Sequence, residues 1–186
     1  MLCGLIGLIV PLMFHLFWQS VIPRAEKPAK LRIISDFTPN VDVFITCCNE
    51  DNGIILDTVR AALAVSWPIV RFRVIVLDDG ASSSLEAEIE ELSKRFPNLY
   101  YSARENVPGP PHHFRAGNLN HGLEFVDELK DGAGEFCAFL DANMIIEQDW
   151  LRAVLAHIVT SEDVALACPP EVGVLNKDFQ TILTIL

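Results

Sequence analysis

Three acidic clusters each follow a short apolar run: Asn49-Glu50-Asp51 after VDVFIT, Asp78-Asp79-Gly80 after FRVIVL, and Asp141-Ala142-Asn143 after FCAFL. Any one of them could be an ordinary turn or helix cap, because Asp and Asn favour both. Three brought to one place would concentrate negative charge that a cation or hydrogen-bond donors must neutralise. A divalent cation holding a diphosphate meets that need, since Mg²⁺ and Mn²⁺ combine carboxylates with phosphate oxygens. An aspartate pair closing a strand suits hydrogen bonds to a base or ribose, and a D-x-D-like element suits the metal. The usual phosphate loops are absent. Neither G-x-G-x-x-G after the first strand nor G-x-x-x-x-G-K-[ST] occurs, and Gly132-x-Gly134 precedes a strand and reads as a turn. His112 and His113 lack a third ligand at suitable spacing and read as loop contacts rather than metal ligands.

These clusters need a scaffold that aligns them. Strands are expected at 41–46, 72–77, 99–102, 136–140 and 164–168, where β-branched and apolar residues run together. Helices are expected at about 54–66, with apolar residues at 55, 56, 59, 62 and 63, and at about 83–95, opened by the capping box Ser83-x-x-Glu86. Two more are expected at about 116–129, after a Pro-rich loop, and at 148–159. Such alternation predicts an α/β fold, a mostly parallel sheet with helices on both faces. Ligands bind such sheets outside the carboxyl ends of the strands, which is where all three clusters fall. The tail 171–186 is expected to find no element to pack against, leaving the fold incomplete at its C-terminus.

Apolar residues make up 51% of the 186 residues and the mean hydropathy is +0.31, which excludes disorder. The net charge of −11 argues against a nucleic-acid partner. Residues 1–22 carry no charged side chain and are long enough to span a bilayer as a helix. Pro11 is tolerated in such helices, and Trp18 sits where an interfacial aromatic belongs. The basic flank (Arg24, Lys27, Lys30, Arg32) of the 23–40 linker marks the cytoplasmic side. The expectation is a membrane anchor at 1–22, a linker at 23–40 and a cytosolic body at 41–186. Of five cysteines, Cys47, Cys48, Cys137 and Cys168 are expected as small buried hydrophobes, with no C-x-x-C pair to suggest zinc or redox chemistry.

VDVFITCCNED, VIVLDDG, HHFRAGNLNHGL and FLDANM, in this order, resemble the successive motifs of the family 2 processive glycosyltransferases, the relatives of cellulose, hyaluronan and chitin synthases. The resemblance covers about 41–170, and 113–122 is its most specific stretch. It implies a GT-A fold beside membrane helices, Mg²⁺ or Mn²⁺ as cofactor, and transfer of a sugar from a UDP-sugar to a growing polysaccharide. On this resemblance Glu50, Asp78 and Asp79 correspond to uridine contacts. Arg115 stands where the family usually has lysine and keeps the charge expected near the diphosphate. Asp141 corresponds to the first aspartate of D-x-D, so Asp141 and Asn143 are the implied metal ligands. Asn143 brings no charge, and Cys47-Cys48 replaces the usual Thr-Tyr beside the base. The family's general base (T-E-D) and acceptor motif (Q-x-x-R-W) are expected beyond Leu186. Two expectations follow: the nucleotide-sugar half of a membrane-anchored synthase, inactive by itself, or a degenerate nucleotide-binding fragment that associates with a full-length synthase.

Overall fold

The computed structural model describes residues 11–14, 17, 30–34, 36–104, 114–169, 171–173 and 181–183. The chain divides into two compact units, Met1–Lys30 and Leu31–Leu186. In the first, residues 11–14 and 17 are helical. The expected membrane span at 1–22 otherwise lies outside the described residues. Among the described residues, no helix is long and apolar enough to cross a membrane.

The second unit is built on a four-stranded parallel sheet in the order β3-β2-β1-β4. Its strands are β1 (Val41–Cys47), β2 (Phe72–Asp78), β3 (Leu99–Ala103) and β4 (Phe136–Asp141). Every residue of β1 is buried, as a central strand covered on both faces requires. Side-chain alternation sends Val41, Val43, Ile45 and Cys47 to one face and Phe44 to the other. On the first face lie α1 (Asn52–Leu63), α2 (Ser83–Ser93) and α4 (Trp150–Val159), through Ile55, Val59, Leu85, Ile89 and Leu151. On the second lies α3 (Phe114–Asp127), through Val126 and Leu119 against Phe44, Ile75 and Leu77. Helices therefore cover both faces, as the alternation implied.

Residues 31–33, expected in the linker, belong to this unit. The Ile33 N–H donates to the Arg152 carbonyl at 2.9 Å, and Arg32 pairs with Asp149 at 3.0 Å.

Three expectations are corrected. Residues 164–168 form no strand, so β4 is an edge strand of its sheet. That leaves Cys137 and Cys168 exposed rather than buried, and Cys48, on the loop after β1, is exposed as well. The tail does find partners: β7 (Thr181–Leu183) runs parallel to β5 (Met144–Ile146) and antiparallel to β6 (Glu171–Gly173).

Candidate functional site

Register brings the three acidic clusters to one edge. Parallel pairing sets Cys47 opposite Asp78 and Thr46 opposite Asp141, so β1, β2 and β4 discharge their loops side by side. A cavity of about 450 Å³ opens there, lined by Thr46, Cys47, Cys48, Glu50, Ile54, Asp79, Arg115, Asn118, Asp141, Ala142 and Asn143. Its size is ordinary for a small-molecule site. It sits beside the β1–β4 junction, where the strand order reverses direction and crevices form.

The floor of the cavity is held from beneath. The Thr58 hydroxyl on α1 donates to the Ala142 carbonyl at 2.6 Å, fixing the turn that carries Asp141 and Asn143. Glu50 reaches back to accept from the Cys48 N–H. Close packing sets the position of α3, because a Cβ at Gly122 would come within 2.5 Å of Leu77 Cδ1 and 3.2 Å of Phe44 Cδ1. Glycine there lets the helix lie this near the sheet without displacing Leu77, with Arg115 and Asn118 lining the cavity.

The adjacent aspartates have different surroundings. Asp78 is 1% exposed and does not line the cavity. Its carboxylate accepts from the Gly80 N–H at 2.8 Å, the Ser82 N–H at 2.8 Å and the Tyr101 hydroxyl at 2.9 Å. These bonds clamp a turn in which Ala81 has a left-handed φ of 48°, a conformation costly for a residue with a Cβ. Asp79 does line the cavity. The Arg104 guanidinium grips it through Nε at 2.9 Å and Nη2 at 2.8 Å from Oδ1 and 3.0 Å from Oδ2. The structure therefore brings Glu50, Asp79, Arg115, Asp141 and Asn143 together and sets Asp78 behind them. His112 and His113 lie outside the described residues.

Charge in the cavity is unbalanced toward the negative. Burial, then the charges of Asp78 and Glu50, push the Cys47 thiol far up; burial, then Asp79 and Glu50, push Cys48 up as well. Both thiols stay protonated and are poor nucleophiles. Arg115 meets part of the charge, its Nη2 lying 2.5 Å from Asp141 Oδ1. The oxygen-only pair of Asp141 and Asn143 suits a hard divalent cation that completes its shell with phosphate and water. Among the described residues no three His, Cys, Asp or Glu gather as a self-sufficient metal cage, so such a cation would bind weakly alone and complete its shell with a diphosphate.

Two residues of the site do not stand out in the sequence. Asn118 is 2% exposed; its Nδ2 donates to the Leu77 carbonyl at 2.9 Å while its Oδ1 has no protein partner. A buried, unsatisfied acceptor bordering a cavity is costly unless a ligand or water supplies the donor. Its signal was its place three residues after Arg115, one helical turn along the same face. Arg104 gave no such signal, because it pairs with Asp79 only once β2 and β3 lie side by side.

The sequence profile described as glycosyl transferase family 2 matches residues 42–183. The chain belongs to this family. Among curated relatives of the family 2 chain is the UDP-forming cellulose synthase catalytic subunit of Komagataeibacter sucrofermentans, 29% identical over 174 residues, 94% of this chain and 21% of the relative. The Pseudomonas fluorescens subunit is 31% identical over 152 residues, 82% of this chain and 18% of the relative. The chain thus spans about a fifth of the length of these curated relatives. Among solved structures, a mannosyltransferase from Pyrobaculum calidifontis with GDP-Man and Mn²⁺ superposes with a TM-score of 0.57 at 18% identity, over 91% of this chain and 44% of the other. A fragment of S. aureus TarS with UDP-GlcNAc gives 0.51 at 22% identity, over 74% of this chain and 41% of the other. At these identities the likeness establishes a GT-A-like fold.

Proposed function

We propose that this chain is the nucleotide-sugar-binding part of a cellulose synthase-like glycosyltransferase that takes its sugar from a UDP-sugar and adds it to a polysaccharide. The observation that carries the reading is the single cavity lined by Glu50, Asp79, Arg115, Asn118, Asp141 and Asn143. Glu50, Asp79 and the unpartnered Oδ1 of Asn118 offer acceptors to the N–H and O–H groups of a nucleoside. Arg115 offers a planar fork of donors that matches phosphate. Asp141 and Asn143 would hold Mg²⁺ or Mn²⁺, which would stabilise the departing diphosphate. Two of the curated relatives similar to this chain are UDP-forming cellulose synthase catalytic subunits.

The base that deprotonates the acceptor hydroxyl is not assigned to any described residue. On this reading the described residues form the part of the protein that binds the nucleotide. Residues 1–22 anchor it in a membrane, and the basic flank places the body on the cytoplasmic side.

Titration calorimetry of the full chain in detergent tests the site. UDP should bind more tightly with Mn²⁺ than without it. Asn143→Asp should strengthen the Mn²⁺-dependent binding by about 1–2 kcal/mol, the scale of one charge-assisted contact, and Asp141→Ala should abolish the Mn²⁺ effect. Equal binding of UDP by the folded wild type and Asp141→Ala, with Mn²⁺ present, would refute the assignment.

A further inference from the structure

Arg115 and Asp141 stand 26 positions apart in sequence, on α3 and at the end of β4, and meet at 2.5 Å inside the cavity. Both side chains are substantially exposed, 54% and 38%, so water screens the pair and little free energy holds it closed. The neighbouring candidate ligand, Asn143, is uncharged. Asp141 is therefore the only anionic member of that ligand pair, and a guanidinium already occupies it.

We infer that Arg115 and a divalent cation compete for Asp141, and that a diphosphate decides the competition. This rests on reading the cavity as a nucleotide-diphosphate site. Without ligand, Arg115 neutralises Asp141 and repels a second cation. When a diphosphate arrives, Arg115 has a better partner, because a guanidinium pairs with phosphate through two parallel hydrogen bonds. Its departure frees the Asp141 carboxylate just as phosphate oxygens become available to complete a metal shell. Arg115 is thus a positioning residue that links two binding events. The coupling is reciprocal: nucleotide tightens metal binding by the same factor as metal tightens nucleotide binding.

The experiment is a Mn²⁺ titration read by the electron paramagnetic resonance of free Mn²⁺, on the full chain in detergent, with and without UDP. Wild type, Arg115→Met and Arg115→Gln are compared, each checked for folding by its circular dichroism melt. With Mn²⁺ alone, both variants should bind roughly fivefold more tightly or better, the scale of an exposed ion pair lost plus a like-charge repulsion relieved. UDP should tighten Mn²⁺ binding strongly in wild type and by a smaller factor in the variants. Mn²⁺-alone affinity that is unchanged or weaker in both variants, or no Mn²⁺ bound by either, overturns the inference. A UDP effect that is absent from every protein would instead overturn the nucleotide reading, and the Mn²⁺-alone comparison would still decide the competition.

Discussion

Replacing Asp78 by Asn separates two roles that the aspartate pair could play. In the structure the Asp78 carboxylate takes three hydrogen bonds, from the Gly80 and Ser82 N–H groups and the Tyr101 hydroxyl. The amide of Asn is isosteric, so no cavity forms, but one oxygen becomes a donor. In the better orientation the oxygen keeps Ser82 and Tyr101, and Nδ2 confronts the Gly80 N–H. One bond to a charged acceptor is lost, at about 1.5–3 kcal/mol, and the remaining two fall to roughly half their strength as the charge disappears. The strained Ala81 (φ 48°) loses part of what holds it, and left-handed backbone costs roughly 1–2 kcal/mol. These losses sum to a destabilisation of about 3–6 kcal/mol, large for an isosteric change. Urea unfolding followed by tryptophan fluorescence measures it, because Trp67 and Trp150 are both buried in the main core. UDP affinity is measured on the same protein under conditions where it is folded. A loss of stability below about 0.5 kcal/mol, the range of an inconsequential surface change, together with weakened UDP binding, would show that Asp78 serves the ligand and not the turn.

Gly122→Ala places a methyl 2.5 Å from Leu77 Cδ1 and should destabilise the fold by about 1–3 kcal/mol, as overpacking does. Because it lifts α3, it should also weaken UDP binding at a temperature where the variant stays folded; calorimetry showing unaltered affinity would refute the packing argument. A third prediction concerns alkaline pH. Cys47 is pushed up chiefly by burial, and Tyr101 by burial followed by its hydrogen bond to Asp78 and that carboxylate's charge. The fold thus keeps protons that the unfolded chain releases near pH 8.5 and pH 10, so this stability is complete below those values and declines above them by up to about 1.4 kcal/mol per pH unit for each group. Urea midpoints should fall over that range, and less steeply in Cys47→Ala and Tyr101→Phe.

Much of this protein is legible in its sequence because it depends on local rules. The β-branched runs at 41–46 and 72–77 can do little except form buried strands. The serines before Glu86 mark the start of α2, Ser83–Ser93, but its cap is Ser82, whose hydroxyl accepts from the Leu85 N–H, and not Ser83 of the expected capping box. Strand–helix alternation forces parallel pairing, and parallel pairing puts every strand's carboxyl end on one edge. The convergence of the acidic clusters thus followed from topology before any contact was known.

Tertiary structure decided what depends on residues distant in sequence. Asp78 and Asp79 are indistinguishable as a dipeptide, but strand alternation turns them opposite ways, toward Tyr101 and toward Arg104, and only the β2–β3 pairing supplies those partners. Whether Asn118 is buried depends on how closely Gly122 lets α3 approach the sheet. The exposure of Cys137 depends on β4 being an edge strand, which its apolar run FCAFL does not disclose. The contact between Arg115 and Asp141 joins a helix to the strand beyond it, and such a meeting is set by the packing of two elements rather than by the pattern of either.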